Sequence, residues 1–172
     1  MTRSSFSVFL GLAISVFVAS CSDSSGGAGT SESDWPTFGR DLHHTRSNPV
    51  ETAIGVDTVA DLEMRWEQRG TEVTSTPAIV GGIVYFADWA GFVYAKNVSD
   101  GSEVWTSQNP SGRGISASLA IGDDRIFIGD FTGFFHAIDR ATGDFLWSVE
   151  LDDHPNANIP SSALMIGDIL IV

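Results

Sequence analysis

Val73–Trp105 reads VTSTPAIVGGIVYFADWAGFVYAKNVSDGSEVW, and Ile115–Trp147 reads ISASLAIGDDRIFIGDFTGFFHAIDRATGDFLW, 42 residues further on. Aligned without a gap, the two share Ala78/Ala120, Ile79/Ile121, Asp88/Asp130, Gly91/Gly133, Phe92/Phe134, Ala95/Ala137, Gly101/Gly143 and Trp105/Trp147. A third copy opens at Ser161, where SSALMIGDILIV matches Ser75–Phe86. A period in the low forties with this content is the mark of a radial β architecture.

The first copy divides into four short segments, Pro77–Val80, Ile83–Asp88, Phe92–Lys96 and Glu103–Ser107, separated by Gly81-Gly82, Ala90-Gly91 and Asp100-Gly101. Such turns make consecutive strands antiparallel neighbours. Four strands closed by a Trp amount to one propeller blade. Their nearly continuous apolar character suits a sheet covered on both faces. Gly91 and Gly133 are expected at positive φ, Trp105 and Trp147 between blades, and Asp88 and Asp130 as turn anchors rather than catalysts. The fold class is therefore all-β, a propeller of four-stranded antiparallel blades at 73–107 and 115–149, with a further one starting at 159–172. Two blades leave apolar surface uncovered, so the chain is expected to be a truncated part of a larger propeller, inactive by itself.

Upstream of the repeats the composition changes. Residues 1–20 pair Arg3 with an apolar run, Val8–Ala19, too short to span a membrane and read as a signal peptide. Val18-Ala19-Ser20-Cys21 is similar to the bacterial lipobox, with an ordinary secretory signal as the alternative; Cys21 is the only cysteine and has no disulfide partner in the chain. Residues 21–33, rich in Ser and Gly, form a tether, and twelve such residues reach roughly 20 Å. Residues 34–70 are an arm and first strand: Asp34–Val50 packs on the body, while Val59, Leu62 and Trp66 lie near helical spacing although Leu62–Trp66 alternates and favours a strand. The whole chain has 9 Lys and Arg against 22 Asp and Glu. Losing Arg3 with the leader brings the net charge to −14, which repels nucleic acid and leaves a lipid anchor at Cys21 as the only route to a membrane.

The blade pattern, an apolar-aromatic strand followed by Gly-x-x-x-Ala, Asp or Asn, and Gly-x-x-x-Trp, resembles the repeat of pyrroloquinoline quinone (PQQ) dehydrogenases, with Phe134–Trp147 the nearest copy. The arm Asp34-Trp35-Pro36-Thr37-Phe38-Gly39-Arg40-Asp41-Leu42, with Thr45–Pro49, is similar to the segment that opens these enzymes. Asp152-Asp153-His154-Pro155 points to the polyvinyl-alcohol-dehydrogenase-like branch. The resemblance implies eight blades around PQQ and Ca²⁺, an alcohol substrate oxidised to a carbonyl, and a cytochrome c electron acceptor. By position, Arg113 falls where relatives place a PQQ-contacting Arg, with a plain interblade loop Arg as the alternative. Thr74 stands for a cofactor-contacting Glu, Pro160 for a Thr, and Ser107-Gln108 for a vicinal cysteine pair. No catalytic residue or metal ligand falls within the chain; the Ca²⁺ ligand, floor Trp and catalytic Asp of the family would lie beyond Val172. The resemblance also extends to a non-catalytic reading: a propeller lipoprotein of the outer-membrane assembly scaffold type. His43, His44, His136 and His154 show no metal spacing, and His136, aligned with Tyr94, is read as a packed strand residue. The implied location is the periplasmic side of a bacterial membrane, the outer one favoured by Ser22 after the cysteine.

Overall fold

A computed structural model describes residues 31–69 and 72–172; the expected leader, the Cys21 anchor and most of the tether lie outside the described residues. Blade 1 comprises β1 (Ala78–Val80), β2 (Ile83–Ala87), β3 (Phe92–Asn97) and β4 (Glu103–Gln108), antiparallel and in sequence order. Blade 2 repeats it with β5 (Ala120–Ile121), β6 (Arg125–Gly129), β7 (Phe134–Asp139) and β8 (Phe145–Glu150). A third meander opens as a hairpin of β9 (Leu164–Ile166) and β10 (Ile169–Ile171). The turn glycines fix these boundaries. Gly91 and Gly133 take φ of +85° and +83°, a region that strains any residue with a Cβ.

Register explains the repeated residue types. Ala78, Tyr85, Ala95 and Trp105 lie side by side across blade 1, and Ala120, Phe127, Ala137 and Trp147 do the same across blade 2. Alanine between two large rings lets them approach over it: Tyr85 and Trp105 have centroids 6.1 Å apart, as do Phe127 and Trp147. The same register shift recurs at Ala95/Lys96 and at Ala137/Ile138.

The core lies between blades. Tyr85, Ala87, Val93, Ala95 and Trp105 of blade 1 meet Ile115, Leu119, Ile126, Ile128 and Ile138 of blade 2. Opposite-facing residues of blade 2, Ala120 and Phe135, meet Ile159 and Ala163 at the start of the third. Each strand thus supplies alternate residues to two neighbours, and its sequence is apolar throughout.

Trp105 is buried and donates from Nε1 to the Arg140 carbonyl (3.0 Å), its ring seated where a Cβ on Gly143 would fall. Trp66 makes the matching contact one blade earlier, donating to the Val98 carbonyl (2.9 Å) and covering Gly101. The arm packs on the blades through backbone hydrogen bonds. Trp35 exchanges backbone hydrogen bonds with Ile79 of β1, and Ile121 of β5 donates to the Pro36 carbonyl. It therefore lies against the innermost strand of both blades.

One expectation fails. Leu62–Trp66 is not a strand: among the described residues it has no ladder partner, and only Val59–Asp61 forms a single 3₁₀ turn. The alternation that suggested a strand sets Trp66 inward, but the residue is held by its indole and not by a backbone ladder.

Candidate functional site

A four-stranded meander places its β2–β3 turn and the exit from β4 at one end of the blade. At that end of blades 1 and 2, Trp89, Gly112, Arg113, Gly114, Phe131, Thr132 and Pro155 line an open cavity of about 410 Å³. Trp89 and Phe131 occupy equivalent turns of the two blades and meet edge to face, with centroids 5.6 Å apart. The Trp89 indole is oriented by Thr74, whose Oγ1 accepts from Nε1 at 2.8 Å. Arg113 comes from the connection between the blades. Its side chain is exposed and makes no hydrogen bond or ion pair among the described residues. A larger concavity of about 930 Å³ lies at the opposite, β1–β2 hairpin end, between the arm, Gly122–Arg125 and Leu164–Asp168. It brings together none of the sequence-derived candidates.

The Arg113 connection is tightly held. Its backbone touches glycines on both sides: a Cβ on Gly91 would meet the Arg113 carbonyl oxygen, and one on Gly114 would meet the Trp89 carbonyl. Phe131 donates its N–H to Gly114 (3.1 Å), and Ile115 donates to Asp88 (3.0 Å). Asn109 is buried at the end of this connection's approach and reaches the carboxylate of Asp130, which is also buried.

Asp88 and Asp130 are the turn anchors expected of them. Asp88 Oδ1 accepts the N–H groups of Ala90 and Phe92, both at 2.9 Å, and Oδ2 accepts the Tyr94 hydroxyl at 2.8 Å. Asp130 accepts Thr132 and Phe134 N–H groups in the same way. In the place of Tyr94 it has His136, with Nε2 3.2 Å from Oδ2 and Nδ1 2.7 Å from the Ser148 hydroxyl. Because an ionised carboxylate only accepts, the proton belongs on Nε2. Ser148, His136 and Asp130 have the composition of a nucleophilic triad, but Tyr94 in the same register of blade 1 marks the arrangement as a strand-to-turn tie that recurs with the repeat. Burial works to raise the Asp130 pKa; hydrogen bonds from His136, Asn109 and Thr132 outweigh it and hold the carboxyl well below the usual range.

Among the candidates, Arg113 and Thr74 come together around Trp89, whereas Pro160 is exposed and does not line the cavity. Ser107 and Gln108 end β4. No group of three or more His, Cys, Asp or Glu able to hold a metal ion occurs among the described residues. Trp89, Phe131 and Asn109 were not singled out from sequence. The offset from Trp89 to Phe131 is the 42-residue period itself, an aromatic following each anchor Asp, and that signal could have identified the pair.

Residues 22–170 match the family model described as "Outer membrane protein assembly factor BamB". The chain is 32% identical over 131 residues to the outer membrane protein assembly factor BamB of Marinobacter adhaerens, covering 71% of this chain and 33% of that protein. It is 29% identical over 128 residues to the quinohemoprotein alcohol dehydrogenase of Comamonas testosteroni, covering 66% of this chain and 18% of that protein. The crystal structure of a Comamonas testosteroni quinohemoprotein alcohol dehydrogenase superposes with a TM-score of 0.60 at 27% identity, over 72% of this chain and 20% of that one. A Pseudomonas putida quinohemoprotein alcohol dehydrogenase reaches 0.71 at 22% identity, over 81% of this chain and 22% of that one, a likeness of fold. The chain thus spans a third or less of the length of these relatives. On the strength of the repeats, the blades and these matches, the chain belongs to the PQQ-repeat β-propeller family.

Proposed function

We propose that this chain is the N-terminal part of an exported PQQ-dependent alcohol dehydrogenase that oxidises an alcohol to a carbonyl and passes electrons to a cytochrome c. One observation carries the reading: an exposed Arg113, with no ion-pair partner among the described residues, stands beside a cavity lined by Trp89 and Phe131 where two blades meet. A guanidinium offers a planar fork of donors suited to carboxylate or quinone oxygens. Trp89, Phe131 and Pro155 add ring edges to a lining that is otherwise polar, which suits a flat, polar ring system. PQQ, planar and anionic, fits that set, with Arg113 as the residue that would hold it and Trp89, oriented by Thr74, beside it. When bound, PQQ supplies a two-electron acceptor for the alcohol. Ca²⁺ has no fitting donor cluster among the described residues, so no part of the reading runs through it here. A 1-butanol dehydrogenase (cytochrome c) of Thauera butanivorans is 28% identical over 80% of the chain, beside 32% over 71% for the Marinobacter assembly factor.

The rival reading is a non-catalytic lipoprotein scaffold in outer-membrane assembly. Thr74, Pro160 and Ser107-Gln108 favour it, since they stand where the dehydrogenases of the resemblance carry a cofactor-contacting Glu, a Thr and a vicinal cysteine pair. Either function places the protein on the periplasmic side, anchored through Cys21. Titrating the full-length protein with PQQ in the presence of Ca²⁺ separates the two. The dehydrogenase reading expects saturable absorbance changes, alcohol-dependent dye reduction, and binding weakened about 10- to 100-fold by Arg113→Ala, the loss of one charged hydrogen-bonding group. No binding at micromolar PQQ would leave the scaffold.

A further inference from the structure

We infer that Asn109 and Asp130 are positioning residues for Arg113: the carboxylate in the turn of blade 2, acting through Asn109 and Ser111, fixes the backbone that presents the guanidinium to the cofactor. The inference rests on the reading of Arg113 as a cofactor contact. Asn109 Nδ2 donates both to Asp130 Oδ2 (2.9 Å) and to the Arg113 carbonyl (3.1 Å). Its Oδ1 accepts the Ser111 N–H (3.1 Å). Ser111 Oγ donates to the same Asp130 oxygen (2.9 Å) and accepts the Arg113 N–H (3.2 Å). Both backbone polar groups of Arg113 are thereby tied to one buried carboxylate.

The second interblade connection shows that a blade joint does not require this clamp. Its backbone frame is the same: Asn109 N–H donates to Gly91 as Leu151 N–H does to Gly133, and Ile115 N–H donates to Asp88 as Ile159 N–H does to Asp130. Leu151 stands in the place of Asn109, 42 residues on, and has no polar side chain to offer. The anchor Asp88 serves its own turn and Tyr94. Of the two interblade connections among the described residues, only the one carrying Arg113 has this side-chain clamp. A buried amide with every polar atom engaged holds one geometry, because any other leaves it unsatisfied.

Asn109→Leu copies the residue the other connection uses and is expected to fold. In the full-length protein, trypsin cleavage after Arg113 should accelerate about tenfold as the carbonyl loses its donor, with thermal unfolding still a single cooperative transition well above the assay temperature. PQQ binding, measured with Ca²⁺ present, should weaken about tenfold, the size typical of outer-sphere partners. In an Arg113→Ala background the same substitution should weaken binding no further. Wild-type cleavage and wild-type affinity together would overturn the inference, as would an equal loss of affinity in both backgrounds. Faster cleavage with PQQ affinity unaltered in both single variants would instead overturn the cofactor reading of Arg113, leaving it no cofactor to be positioned for.

Discussion

Asp88 and Asp130 do the same structural work with different chemistry around them, and the difference is measurable. Burial, then the hydrogen bond to Asp88, pushes the Tyr94 hydroxyl from 10 up to about 12. A phenol whose folded-state pKa is raised contributes stability that is full below pH 10 and lost as pH rises toward 12. Denaturant midpoints measured across that interval should fall in the wild type and fall less in Tyr94→Phe. Asp130 behaves in the opposite sense. Its folded-state pKa lies below the ordinary aspartate value, so its contribution is full above about pH 4 and disappears as acid is added. Asp130→Asn should cost about 1–3 kcal/mol at neutral pH, because donors then face an amide, and should flatten the acid limb of the stability profile. Gly91 shows how small a change the site tolerates. Gly91→Ala forces a Cβ toward the Arg113 carbonyl at φ +85° and is expected to cost about 2 kcal/mol or more by urea denaturation.

At the scale of elements, the strands were legible and the staples between them were not. Turn glycines placed the strand edges of blade 1 within a residue of those observed, because Gly91 and its equivalents leave few alternatives for the chain. A repeat, however, reveals only what recurs. Arg140 aligns with Val98, and Asn109 with Leu151, so neither left an echo in the period. Trp66 precedes Trp105 by 39 residues instead of 42, which broke the register and left its role hidden between a helical and a strand pattern. Arg140 is a staple of this unrepeated kind. Its Nη1 donates to the Gly122 and Asp123 carbonyls (both 3.1 Å), its Nε to the Tyr85 hydroxyl of blade 1 (3.3 Å), and its own carbonyl receives the Trp105 indole. Arg140→Ala should destabilise by about 2 kcal/mol, and Arg140→Lys should recover little of it, since a point charge cannot serve three directions at once. Equal melting temperatures for wild type and Arg140→Ala would contradict this account.

At the scale of the molecule, blades stabilise one another through nearest-neighbour faces, so each face is as stable as what covers it. A polar thread runs along the inner rim beside the apolar core: Thr76 N–H donates to Ser118 Oγ (2.9 Å), and Ser118 N–H to Ser162 Oγ (3.3 Å), at equivalent positions of three successive repeats. The face beyond blade 2 is different. Trp105, docked on Gly143, is 8% exposed, whereas Trp147 in the same register is 39% exposed, with Leu146 and Val149 of β8 also open. An edge strand with this much apolar surface pairs with whatever is available. In a propeller such a face is covered by a neighbouring blade, and none packs on β8 among the described residues. Expressed as the 172-residue chain, the protein should associate as its concentration rises, seen as an increasing sedimentation coefficient. Trp147→Lys should reduce that association without unfolding blade 1, whose own Trp is already covered. A monomer at every concentration would mean that β8 is satisfied by its own residues, and that the Trp-to-glycine contact is not what holds successive blades together.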